Sequence, residues 1–137
     1  MDIKKFLLGT LAGTVASFAV AYLIFGVILH TFFEENTMEG VGKAEPDFIW
    51  IIIGHVCFAA ALTYIFLHLG NVKTLSGGLI AGFVIGLLTS LGFDMIAFAT
   101  TNMMTSITPV FVDGIAGGVL WAVGGGAIGW VLGMGGK

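Results

Sequence analysis

An all-α bundle of four transmembrane helices is the fold this sequence predicts, and three observations carry the prediction. Of the 137 residues, 58% are hydrophobic and 9% charged, with a mean hydropathy of +1.08, a balance outside the range of ordinary soluble domains. The apolar residues gather in four runs, about 6–33, 48–69, 75–100 and 109–133, each at or above the roughly 20 residues that cross a hydrocarbon core. Finally, the runs are continuous and rich in Gly and Ala, where barrel strands would alternate polar and apolar positions. The connections are too short to hold a second unit, so residues 1–137 form a single membrane domain of antiparallel hairpins with glycine-rich helix contacts.

Two lysines, Lys4 and Lys5, precede the first run. A secretory signal has a short apolar core followed by a cleavage site, whereas this run continues well past that length and so predicts a spanning helix. At about 1.5 Å per residue it exceeds a core of roughly 30 Å and must tilt or project. Gly9, Gly13, Ser17 and Ala21 make one small-residue stripe along it, and Tyr22, Gly26 and His30 a second face. The acidic stretch EENTMEGVGKAEPD, residues 34–47, is the only substantial loop. Its GVGK lacks the hydroxyl residue, the first glycine and the preceding strand of a phosphate-binding loop.

Pro46 and Asp47 lead into the second run, with Trp50 at the level of an interfacial anchor. Gly70 and Asn71 end it. The turn of residues 70–74 is short enough to make the second and third helices antiparallel neighbours. The third helix, LSGGLIAGFVIGLLTSLGFDMIAFAT, places Gly78, Gly82, Gly86, Ser90 and Asp94 four apart on one face. Thr108 reads as an N-cap with Pro109 at the first helical position of the fourth helix. There Gly114, Gly118, Ala122 and Gly126 are four apart, as are Gly125, Gly129 and Gly133. Each interior glycine lowers helix propensity by about 1 kcal/mol, so this density implies close helix packing at Gly78, Gly82, Gly86, Gly114, Gly118 and Gly126.

Orientation follows from the lysines. Lys4, Lys5, Lys73 and Lys137 share the side of both termini, while Lys43 alone lies opposite, which predicts cytoplasmic termini and an external acidic loop. GTLAGTV at Gly9 echoes GLIAGFV at Gly78, as a two-hairpin duplication would produce. The chain has no arginine and no basic cluster, so nucleic acid is not an expected partner. Cys57 stands alone, which excludes an internal disulfide and reads as a small buried hydrophobe.

Counting rise from the helix ends places Asp94, Asp113, His55 and His30 in the half of the bilayer nearer the acidic loop, with His68 on the opposite side. An ionisable residue at membrane depth is costly unless paired, protonated or wetted. These four are therefore the candidate intramembrane polar site, Asp94 and Asp113 foremost. Two carboxylates brought close in a low-dielectric site do not both ionise; they share a proton or take a countercharge. No histidine pair at ligand spacing, no cysteine pair and no nucleophile elbow occurs, so the expectation is no metal, no cofactor and no catalytic residue.

The glycine seam running into FDMIAFAT, Phe93 to Thr100, and then FVDGIAGG, Phe111 to Gly118, resembles families of small bacterial four-helix membrane proteins described as domains of unknown function. The resemblance covers about half the chain and implies architecture, with a bacterial inner membrane as the setting, and no substrate. The leading expectation is a non-enzymatic accessory or assembly component with an outward polar site. Its partners would be the bilayer and either a second copy or another membrane protein. An oligomeric proton or small-cation channel or transporter is the rival, and an intramembrane enzyme using His and Asp as acid and base the third class.

Overall fold

The computed structural model describes residues 2–134; Met1 and the last three residues, among them Lys137 of the lysine argument and the rest of the glycine-rich tail, lie outside it. The fold is all-α. Five helices follow one another: α1 (Ile3–Ala21), continued by a π-helical segment (Tyr22–Ile28), α2 (His30–Asn36), α3 (Phe48–His68), α4 (Leu75–Thr100) and α5 (Thr108–Gly133). Four of these paths, Ile3–Ile28, α3, α4 and α5, are long and apolar enough to cross a membrane, the architecture of a small polytopic membrane protein.

The first run is thus longer than its apolar core and is not a uniform helix. The amide of Leu29 donates to the carbonyl of Ile24, five residues back, at 2.7 Å, and Leu29 leaves the helical region at φ −102°, ψ 6° before α2 begins. A widened turn of this kind rotates every later side chain relative to an α-helical wheel. Side-chain caps start α1 and α4, where Asp2 accepts from the Lys5 amide and Thr74 from the Gly77 amide. The start of α5 differs from the sequence expectation: Thr108 is already helical, Ile107 is the cap, and no side chain closes it.

Across the bundle the order is α3, α1, α5, α4. The short turn at residues 70–74 does make α3 and α4 antiparallel, yet the two are not packing partners, because α4 packs chiefly against α5. The centre is α5, with 61% of its most apolar 18 residues buried against 17% for each of the other three spans. Glycine explains how it takes neighbours on two sides. Toward α1, Gly124 meets Ser17 and Ile128 fills the hollow over Gly13, while Leu132 does so over Gly9. The aliphatic and aromatic core, Ala59, Leu62, Phe66, Leu120, Trp121, Ile128 and Leu132, fills the space among α1, α3 and α5.

Both described ends of the chain and the turn at residues 70–74 lie at one end of the bundle. At the other, the acidic loop is tied to the link following α4: the Met38 amide donates to the Met103 carbonyl at 2.9 Å, and the Thr105 amide and hydroxyl both donate to the Asn36 carbonyl at 3.0 Å. Cys57 is exposed on the outer face of α3 rather than buried. A run that is apolar all round cannot reveal which face it turns inward, and lipid accepts a thiol as readily as a methyl.

Candidate functional site: an acid pair closing a glycine seam

Contact between α4 and α5 is backbone on backbone. A β-carbon added at Gly78 would strike the carbonyl of Gly125 and lie 3.1 Å from the Gly126 Cα; at Gly82 it would strike the Trp121 carbonyl and lie 3.1 Å from the Gly125 Cα. At Gly86 it would fall 2.6 Å from the Trp121 Cβ. From the other side, Gly117 faces Ser90, and Gly129 lies against the Thr74 carbonyl and Gly78. Four residues forward on α4 correspond to four back on α5, so that Gly78, Gly82, Gly86 and Ser90 face Gly129, Gly125, Trp121 and Gly117 in turn. The next pair in that register is Asp94 and Asp113.

Of the expected packing glycines, Gly78, Gly82 and Gly86 carry this backbone contact. Gly114, Gly118 and Gly126 flank it and receive side chains instead: Leu91 over Gly114, Phe83 and Leu87 over Gly118, Leu79 and Leu75 over Gly126. Gly125 and Gly129, from the second stripe the sequence offered, and Gly117, which was not singled out, form the α5 side of the seam. Their four-residue spacing continues through Trp121 to Asp113, and the bulk of Trp121 hid that continuity.

Asp94 is 6% exposed, and its Oδ2 has no hydrogen-bond partner among the described residues. The Asp113 side chain, half-buried, faces it within hydrogen-bonding reach. No lysine or histidine forms an ion pair with either acid; the one such pair among the described residues joins His30 to Glu34 at 3.4 Å on the surface. Two carboxylates have only acceptors to offer one another, so a bond between them requires a proton on one. Both charged at that range would repel by several kcal/mol even at an effective dielectric of about 20. The arrangement therefore suits one mobile proton between two carboxyl groups, reached from the Asp113 side.

The histidines are elsewhere. His55, half-buried on α3, meets Ser17 of α1 through Nδ1 at 2.8 Å, and its ring lies 5.8 Å from Phe18, edge on, and 5.8 Å from Trp121. Trp121 in turn stacks on Phe58 at 4.0 Å. His30 is exposed at the start of α2, one turn before Glu34. The structure thus joins the two acids to each other and the two histidines to a separate hollow between the π-helical segment and α3, which both line. Groups of three or more His, Cys, Asp or Glu able to hold a metal ion are absent among the described residues.

Comparison of the chain with protein-family models, curated proteins and solved structures returned no match. The class that fold and site define is accordingly a small polytopic helical membrane protein with a glycine-seamed helix pair ending in two facing acids.

Proposed function

We propose that this protein is a non-enzymatic accessory or assembly component of a membrane, with the Asp94–Asp113 pair as its working site and a proton as the species held there. The observation that carries the reading is the buried Asp94 carboxyl, whose Oδ2 has no hydrogen-bond partner among the described residues, facing a second carboxyl. A structural hydrogen bond between helices needs only one such group and a neutral partner, whereas this pair is poised to change net charge inside the bundle. The lysine distribution and the resemblance to small bacterial membrane proteins support a bacterial inner membrane with both termini cytoplasmic, which opens the acid pair toward the outside. Loading or removing the proton would alter how firmly α4 holds to α5, and so the face α4 presents to a partner.

A second reading, an oligomeric proton or small-cation path, is favoured by one observation. The outer face of α4, including Ile80, Val84, Leu88 and Ile96, is exposed in a single chain, an aliphatic surface on which a second copy would pack to form the oligomer this reading needs. Purified protein reconstituted into vesicles with an internal pH-sensitive dye separates the two. The accessory reading expects proton leak equal to that of protein-free vesicles, with Asp94→Asn altering thermal unfolding or assembly and leaving leak unchanged. Proton flux in the parent protein that Asp94→Asn abolishes in a folded variant would replace it with the path.

A further inference from the structure

Where the π-helical segment diverges from α3, the two walls enclose a hollow of about 500 Å³ floored by Leu120 of α5. Its size falls in the roughly 300–1,000 Å³ range of small-molecule sites. The walls are aromatic, with Phe18, Tyr22 and Phe25 on one side and Phe48 on the other. It is too apolar and too large to be held by ordered water, which needs several polar partners per molecule. Two imidazoles line it, exposed His30 toward the acidic loop and, nearer the bundle centre, half-buried His55. Ser17 holds Nδ1 of His55 at 2.8 Å, and the Phe18 and Trp121 rings fix the plane. Nε2 makes no hydrogen bond among the described residues.

We infer that this hollow binds a flat, lipid-soluble ring carrying a carbonyl or hydroxyl oxygen, the chemistry of the membrane quinones, with His55 Nε2 hydrogen-bonded to that oxygen. The π-helical turn is what opens the space: Gly26, on the hollow's wall, presents no side chain, and Tyr22 and Phe25 stand either side of it. An acyl chain would fill the volume equally well but would leave an oriented imidazole facing hydrocarbon. A ring oxygen satisfies the nitrogen in either tautomer, accepting from Nε2–H as a carbonyl or donating to Nε2 as a hydroxyl. Aromatic walls favour a planar ring through edge and offset contacts that a flexible chain does not make. The proposal is independent of the acid pair, which lies on the far side of α5.

The test uses the full chain in lipid nanodiscs with Trp50→Phe and Trp130→Phe, both lipid-exposed positions, leaving Trp121 beside His55 as the reporter. A decyl-substituted benzoquinone is titrated and Trp121 quenching recorded. Expected is saturable quenching, weakened about tenfold by His55→Leu, the change of about 1.4 kcal/mol that accompanies loss of one hydrogen bond. Gly26→Leu should also abolish it. Its β-carbon would meet only the Tyr22 ring, at an ordinary 3.5 Å, so the variant adds bulk on the hollow's wall away from His55 and guards against a misfolded His55 variant. Asp94→Asn should leave binding unchanged. Quenching that rises linearly with quinone in the bilayer, or saturable quenching indifferent to both variants, overturns the inference. So does equal quenching by phosphatidylcholine brominated on its acyl chains, which would make the hollow a lipid groove.

Discussion

Replacing Gly82 with alanine is the sharpest probe of the α4–α5 seam, because the obstacle it creates is backbone. The added methyl would lie 2.9 Å from the Trp121 carbonyl carbon and 3.1 Å from the Gly125 Cα, with the Trp121 carbonyl oxygen nearer still. Carbon atoms settle at about 3.5–4.0 Å, so α4 must retreat by roughly 0.6 Å or more. A gap of that size forfeits about a quarter or more of the dispersion energy of every contact along the seam. Overpacking a well-filled core costs about 1–3 kcal/mol, and a rigid carbonyl puts Gly82→Ala at the upper end of that range. Gly92→Ala is the control on the same helix. Nothing lies within 4 Å of its β-carbon, so only helix propensity acts, and it should be neutral or stabilising by up to about 1 kcal/mol. Denaturant unfolding in a mild detergent, followed by circular dichroism, reads both. Equal stabilities for the two variants would refute the backbone-contact account of the seam.

Other outcomes follow from the same packing. In a Cys57→Ser background, Asp94→Cys with Asp113→Cys should form an intramolecular disulfide under mild oxidation, while Asp94→Cys with His55→Cys should not; the reverse pattern on a gel would move the acids apart. Gly13→Ala should destabilise by about 1–3 kcal/mol because its methyl would fall 2.6 Å from the Ile128 Cδ1, and Ile128→Ala alone by about 2–5 kcal/mol. Together they should cost less than the sum, and strict additivity in unfolding would contradict the contact. Ser17→Ala should remove about 0.6–1.7 kcal/mol with the hydrogen bond to His55, measured by the same unfolding assay. Cys57 in the folded protein should react with a lipid-soluble maleimide and resist a charged thiol reagent, whereas resistance to both would mean it is buried.

Hydropathy and run length were enough to read four spans and an all-α fold, because a bilayer admits few alternatives. Small-residue spacing also marked the face of α4 that the structure turns to α5: the stripe from Gly78 to Asp94 lies along the seam. Its partner row was divided between two stripes, Gly114, Gly118 and Gly126 on one and Gly125, Gly129 and Gly133 on the other, since Trp121 interrupts the glycines of the facing row with the largest side chain there is. The backbone carbonyl of Trp121 touches Gly82 while its ring turns to Phe58 and His55, a division that composition cannot convey. Two further features were hidden for a physical reason. An i+5 hydrogen bond at Leu29 leaves no residue signature, so the hollow beside Tyr22 and Gly26 was invisible, and helices apolar on every side give no hint of which neighbour each will choose. Depth along the axis is readable from rise per residue, whereas azimuth is not, which is why four ionisable groups assigned to one half of the bilayer divide into an acid pair and a histidine-lined hollow.

Whether one proton sits between the two acids can be measured directly by infrared spectroscopy of the protein in bilayers at neutral pH. The account predicts a protonated-carboxyl stretch that shifts in D2O and is altered by Asp94→Asn and by Asp113→Asn alike, because either change removes half of one shared site. Absence of that band, or a band that responds to only one of the two substitutions, would contradict it.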